Sequence, residues 1–359
     1  MSTALPSTEL SPGAATDHTS PHRIGLAIVG AGMIVQDLLS VASDLPQFEL
    51  VAIYGRESHR ERLEGLRSSH GIQSIYTDYG DCLRDPAVDA VYVGLPNHLH
   101  YEFAKKALLA GKHVICEKPF TLHLAELQEL ARIAADHGTI LVEAITNQYL
   151  TNYQLIREEL AGLGSLKLIQ CNYSQLSSRY PAFLRGEVLP AFDPALGGGA
   201  LMDINIYNIH FVVGLLGRPT SVHYTANIER GVDTSGILVL EYPSCRVVCV
   251  GAKDSSGPVQ SLLQGDAGTI VMHGTPNVVD SFTVLTPGED SRHVDEKVHG
   301  HRMVEEFVAF ATMVRDSNIV ERDARLAHSE IVLDVAISAL ESAGVRLGSA
   351  SDDIASSHR

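Results

Sequence analysis

Two short segments carry residue types that can polarise a substrate oxygen and move a proton. Glu117-Lys118-Pro119 directly follows an apolar run, His113 to Cys116. A lysine at the carboxyl end of a strand can hold a substrate oxygen and stabilise a developing alkoxide. Pro119 fixes the backbone beside it, and Glu117 stands where it can position the ammonium. The second segment, Gly197 to His210, opens with three glycines and continues as a helix. Asp203, Tyr207 and His210 are spaced i, i+4, i+7 and share one α-helical face. Ile206, Ile209, Val213 and Leu216 take another face and can meet a core. Polar side chains grouped on one side of an apolar helix predict a cleft. Each residue also has a plainer reading. Glu117 and Lys118 can be a surface pair, Asp203 a first-turn acid favoured by the helix dipole, Tyr207 an interfacial aromatic and His210 a core histidine.

A third segment predicts what binds beside them. Gly30-Ala31-Gly32 lies where a first strand, Ile24 to Val29, turns into a helix that opens with Met33 and Ile34. Two glycines there allow a tight turn and close approach of backbone to a pyrophosphate, which the positive helix end then faces. The third glycine of this fingerprint, whose task is close helix–strand packing, is replaced by Val35. The second strand ends Tyr54-Gly55-Arg56, without the acid that would bond a ribose 2′-hydroxyl. Arg56, with Arg60 one turn later, suits a 2′-phosphate, so NADP(H) is favoured over NAD(H). Glu57 stands where it could offset that positive charge. Pro96, Asn97 and His100 follow a strong apolar strand and, with Glu117 and Lys118 at the end of the next, are placed to line the same ligand. His98 and His100 form an HxH pair, but no acid or cysteine stands near it, and no metal is expected.

These segments need elements to hold them. Apolar runs at 24–29, 48–54, 88–95, 113–116 and 139–143 alternate with helical stretches of 10 to 15 residues. That pattern predicts parallel βαβ units in a doubly wound Rossmann sheet. After a helix at 152–160 and a strand at 166–173, strands follow one another at 221–228, 237–242, 246–252, 259–263 and 269–273, with helices at 303–314 and 327–343. Successive strands without intervening helices predict an α+β domain with an open, mostly antiparallel sheet. The division is a dinucleotide-binding domain at 23–145 and a substrate and oligomerisation domain at 146–345. The Ser-, Thr- and Pro-rich ends, 1–22 and 346–359, read as disordered tails.

Composition narrows the partners. The 359 residues hold 27 Lys plus Arg against 43 Asp plus Glu, a net charge of −16. That balance repels phosphate backbones and anionic membranes, so neither nucleic acid nor membrane is an expected partner. No window is expected to approach the ~20 apolar residues of a membrane span. No secretory leader is expected either. Five scattered cysteines without a CxxC pair fit a reducing cytoplasm. The expected ligands are small molecules.

On Gly30-x-Gly32, Glu117-Lys118-Pro119 and GGGALMDINIY at 197–207, the sequence resembles the glucose–fructose oxidoreductase / inositol dehydrogenase (Gfo/Idh/MocA) family over about residues 23–345. The resemblance implies NAD(P)-dependent oxidation of a sugar, polyol or related hydroxyl, or reduction of the carbonyl. It makes Lys118 the catalytic lysine and Asp203 the aspartate of the catalytic helix. Tyr207 occupies the position of the inositol dehydrogenase histidine, as in the sugar and dihydrodiol dehydrogenase branch. Tyr207 then exchanges the proton, with Lys118 stabilising its phenolate, since a free tyrosine titrates near ~10. Asn147, Tyr149, Arg179, Tyr180 and His210 are the further substrate contacts expected. Asn205 replaces a glycine common in the family and receives no role. The family also implies a homodimer or homotetramer. The alternative is a dinucleotide-binding regulator on the same scaffold, which loss of the lysine or the helix's polar residues would mark. Both are present here.

Overall fold

The computed structural model describes residues 23–187 and 189–348, so the expected tail at 1–22 and all but residues 346–348 of the one at 346–359 lie outside the described residues. Six strands form the first sheet: β1 (Ile24–Val29), β2 (Phe48–Tyr54), β3 (Ser74–Tyr76), β4 (Ala90–Val93), β5 (His113–Glu117) and β6 (Leu141–Ala144). Their order is β3-β2-β1-β4-β5-β6 and every pair is parallel. β1 and β4 are buried along their whole length, as strands covered on both faces must be. The order reverses between β1 and β4, which opens the crevice at their carboxyl ends. β3 and the short helix Tyr79–Arg84 lack a clear apolar period and do not stand out in the sequence.

The second sheet has eight strands: β7 (Leu166–Ser174), β8 (Ser221–Glu229), β9 (Val232–Glu241), β10 (Arg246–Ala252), β11 (Gln260–Gly265), β12 (Thr269–His273), β13 (Ser281–Leu285) and β14 (Arg292–Val294). Their order is β14-β13-β12-β11-β7-β10-β9-β8. Only the central β7–β10 pair is parallel among the described residues. The α/β architecture expected from the sequence is thus present: a Rossmann sheet joined to an α+β part with a mostly antiparallel sheet.

The packing of the late helices departs from a division at residue 145. Met303–Arg315 lies on the first sheet, where Phe307 meets Phe48 edge-on at 5.9 Å and Tyr92 at 5.4 Å. The long helix Ile319–Ser342 also returns to it. Its buried Arg322 donates to the carbonyls of Ala134 (3.2 Å) and Thr139 (3.0 Å). These contacts tie the two sheets together and fix the crevice between them. One stretch, Pro194–Leu216, is long and apolar enough to cross a membrane, against the expectation that none is; 78% of its apolar window is buried within the protein. Its composition is that of a core helix.

Candidate active site

The glycine turn fits a dinucleotide. Gly30 has φ +115°, and a Cβ there would meet the Gly94 carbonyl oxygen at 2.4 Å, so only glycine serves. Gly32 precedes the helix Met33–Ser40, and a Cβ there would meet nothing within 4 Å. Among the described residues no contact requires that glycine, and the bare backbone faces open space. Met33 is 67% exposed at the same helix start. The missing third glycine is supplied from another strand. Val35 is buried, and a Cβ on Gly94 would come within 2.8 Å of its Cγ2. The close helix–strand approach is kept, with the small residue moved to the end of β4.

Beyond β2, Glu57 takes Arg60 in a two-pronged pair (2.6 and 2.9 Å). Arg56 is exposed beside His59, at 3.4 Å, and makes no ion pair among the described residues. The negative charge expected to weaken Arg56 is therefore paired with Arg60, and Arg56 keeps an exposed positive charge beyond β2.

The β4 loop works differently from expectation. Pro96 is exposed. Asn97 Nδ2 donates to the Gly197 carbonyl at 2.9 Å, bridging this loop to the triple glycine of the second part. His100 is fully buried, with Nδ1 2.9 Å from the Pro119 carbonyl and Nε2 2.8 Å from the Leu95 carbonyl. It cannot line a ligand; it staples the β4 loop to the backbone after Lys118. Glu117 is also buried, accepting from Tyr92 Oη at 2.8 Å, and burial raises its pKa. Its carboxylate turns into the core.

Lys118 and the helix meet in the crevice. Lys118 Nζ lies 2.9 Å from the Asp203 carbonyl and 3.1 Å from Asp203 Oδ1, and 5.0 Å from the Tyr207 ring centroid. Burial opposes the lysine's charge, but Tyr207, Asp203 and Glu117 outweigh it and raise its pKa. Burial likewise works against the Asp203 carboxylate, yet Lys118 and Lys253 hold it below the usual carboxylate range. Tyr207 is raised above the ordinary phenol value by burial, which the positive charge of Lys118 only partly offsets. Lys118 is thus a standing cation and Tyr207 a neutral phenol at neutral pH.

The helix is not uniformly α. Leu201–Asn205 form a π turn, and Ile206–Leu216 continue as α-helix. A π turn takes one residue more per hydrogen-bonded turn, so residues beyond it fall out of α phase. Asp203 and Tyr207 stay beside Lys118, whereas His210 turns into the core. There His210 Nδ1 lies 2.9 Å from His328 Nε2, and Nε2 lies 3.5 Å from Glu143. Asn205 now has a task. Its Nδ2 donates to the Cys249 carbonyl, and its Oδ1 accepts from Asn208, pinning the π turn to β10. A Cβ on Gly251 would strike it at 2.7 Å, so β10 makes room for that anchor.

The remaining expected contacts scatter. Asn147 is buried and donates to the Tyr207 carbonyl at 3.0 Å, supporting the helix from behind. Tyr149 packs under the Arg325 guanidinium at 4.6 Å. Tyr180 bonds Glu229 at 2.8 Å and packs beside Phe183 and Phe192, while the neighbouring Arg179 is exposed. Among the described residues, none of these side chains hydrogen-bonds or ion-pairs with Lys118.

Residues the sequence reading missed complete the site. Lys253 Nζ stands 2.8 Å from Asp203 Oδ2. Buried Asp233 accepts from the Leu201 amide (2.7 Å) and Tyr224 Oη (2.9 Å), anchoring the start of the π turn. Burial pushes Asp233 up to about 6. Tyr173 lies 6.0 Å from the Tyr207 ring. Lys253 carried a readable signal: like Lys118, it directly follows an apolar strand.

The chain matches the GFO/IDH/MocA oxidoreductase family, NAD-binding Rossmann fold, over residues 24–144, and the GFO/IDH/MocA C-terminal domain over 153–274. It is similar to a scyllo-inositol 2-dehydrogenase (NADP(+)) of Bacillus subtilis (strain 168), 36% identical over 69% of this chain and 76% of that one. A trans-1,2-dihydrobenzene-1,2-diol dehydrogenase of Xenopus laevis is 28% identical over 89% of this chain and 97% of its own. The fold is shared with a 3-ketoreductase from Actinomadura kijaniata in complex with NADP, with a TM-score of 0.74, 21% identity, and coverage of 88% of this chain and 96% of that one.

Proposed function

The chain belongs to the GFO/IDH/MocA oxidoreductase family, and on that premise we propose that it interconverts a CH–OH group and a carbonyl on a sugar, polyol or related small molecule. NADP(H) is the favoured cofactor and NAD(H) the alternative. A dinucleotide held through its pyrophosphate at the glycine turn would supply the hydride donor or acceptor. Gly30, Gly32, Met33, Ile34, Arg56 and Pro96 are the residues that hold it.

The observation that carries this reading is the Lys118–Asp203–Tyr207 cluster at the carboxyl end of β5. In reduction, the neutral Tyr207 phenol gives its proton to the substrate oxygen. In oxidation, it takes that proton back. The Lys118 ammonium, 5.0 Å from the ring, stabilises the phenolate left after proton loss and the negative charge on the substrate oxygen. Asp203, its side chain 37% exposed, keeps carboxylate surface for a substrate hydroxyl while pairing with Lys118. A nicotinamide absorbance screen over sugars, polyols and their carbonyl forms, run with both cofactors, tests the reading. Turnover of a member of that panel, faster with NADP(H), is expected. Cofactor binding without turnover of any of them would instead favour the regulator.

A further inference from the structure

Lys253 is a buried lysine with an arrangement that its surroundings fix closely. It follows β10, where its amide donates to the Thr234 carbonyl and its carbonyl accepts from Ser177, both at 2.8 Å. Its side chain is 2% exposed. The ammonium donates to the Ala191 carbonyl, lies 4.3 Å from the Phe192 ring centroid, and reaches Asp203 Oδ2 at 2.8 Å. Burial lowers its pKa and Lys118 at the end of β5 adds to that, while Asp203 from the π turn and Asp233 from β9 oppose it; Tyr207 in turn is acted on by Lys118, Glu117, Arg302 and Tyr173. A lysine this enclosed cannot touch a substrate. Burying an ammonium is costly, and it is retained only where partners satisfy it.

Its partners define what it does. One carboxylate, Asp203, stands between two lysines, Lys118 on Oδ1 and Lys253 on Oδ2. With Lys118 alone, the pair would be neutral. With both ammoniums, the trio carries one net positive charge, and its Lys118 end lies 5.0 Å from the Tyr207 ring centroid. Lys253 also binds the 190–192 segment, so the same group ties the wall over the helix to the acid on the helix. We propose that Lys253 is a positioning residue for the reaction: it occupies the second oxygen of Asp203, so that the Lys118–Asp203–Lys253 trio keeps a net positive charge beside Tyr207. The inference rests on the oxidoreductase reading above, with Tyr207 as the proton-exchanging group.

The test uses K253M, K253R and D203N in the full chain, with thermal melts and NADPH binding confirming a folded, binding-competent enzyme. Removing a positive charge disfavours the phenolate. K253M is therefore expected to move the Tyr207 limb of the oxidation pH–rate profile by about one unit to the alkaline side. At fixed neutral pH, kcat falls about tenfold with substrate KM little changed. K253R, which keeps the charge, restores the limb. A purely structural lysine would leave the limb in place, and superimposable profiles for K253M and wild type overturn the proposal. Should K253M fail to fold, K253Q, which keeps a donor for the Ala191 carbonyl, carries the same comparison. A substrate-free arm separates this from failure of the oxidoreductase reading. Tm losses of K253M and D203N should be non-additive in the double variant. Additive losses overturn the proposal even if no substrate is found.

Discussion

Lys118 donates to both the backbone carbonyl and the carboxylate of Asp203, at 2.9 and 3.1 Å. One lysine thus grips the first residue of the helix that faces the crevice by main chain and side chain together. This contact joins the end of β5 in the Rossmann sheet to the π turn of the second part. It sets the distance between the cation and the Tyr207 ring, which the two parts would otherwise leave free.

Removing that cation should stop the chemistry and spare the cofactor. K118A is expected to lower kcat by about 10² to 10³, the cost of losing one preorganised group at a developing oxyanion. NADPH affinity, read by fluorescence titration, should stay close to wild type. Normal turnover in K118A would sink the assignment.

Tyr207 sets the pH dependence. Burial raises its pKa above the ordinary phenol value, with Lys118 offsetting only part of the shift. The acid form therefore dominates from pH 6 to 9, so reduction should show no limb from this group there, while oxidation should speed up as pH rises. Y207F removes the exchangeable proton and should lose both rate and that rise. Full rate for Y207F across this range rules Tyr207 out as the acid.

The two arginines after β2 should behave differently. Arg56 makes no ion pair among the described residues, whereas Arg60 is bound to Glu57 at both oxygens. R56A is expected to weaken NADPH by about tenfold, the scale of a charge-assisted contact, and to narrow its advantage over NADH. R60A should change the preference little. Equal effects from both variants would contradict this division, and calorimetry with the two cofactors can decide it.

His100 is expected to act through the backbone. Both ring nitrogens face buried carbonyls, those of Pro119 and Leu95. A neutral imidazole donates from one nitrogen only, and burial lowers the His100 pKa. H100A leaves a buried carbonyl without its donor and a cavity, at a cost of about 2 to 4 kcal/mol. Denaturant unfolding reads this directly. A loss below about 0.5 kcal/mol, the scale of an ordinary surface change, would show that the staple is dispensable.

The displaced glycine offers a packing test. G94A places a methyl within 2.8 Å of Val35 Cγ2 and should destabilise by about 1 to 3 kcal/mol. Adding V35A should recover part of that loss, because it removes the clashing methyls. If V35A only adds its own cavity cost, the two residues do not share the space described.

Local pattern made much of this legible. Apolar runs buried on both faces marked the parallel strands, and Gly30, Lys118 and Pro119 announced themselves by standing at strand ends. β3 and β14 were missed because short edge strands carry few core residues, and β13, though paired on both sides, is too brief at five residues to separate from turns. Asp203 and Tyr207 were found by assuming an α-helix; His210 was misplaced by the same assumption. The π turn at Leu201–Asn205 shifts Asp203 relative to both Tyr207 and His210, which share one α segment, and His210 is held in the core beside His328 and Glu143, partners no local pattern marks.

The sequence by itself determined the two sheet types and the glycine turn, and it singled out the lysine, aspartate and tyrosine, whose proposed roles came from the family resemblance. The sheets and the turn follow from side-chain periodicity and backbone freedom, which are local properties. Only the tertiary structure decided which charges meet. Glu57 turns to Arg60, Glu117 to Tyr92, and Asp203 to both Lys118 and Lys253. Coulomb energy falls with distance and rises with burial, and both are set by how distant elements pack, so the second lysine's role could be read only once β10 lay beside the helix.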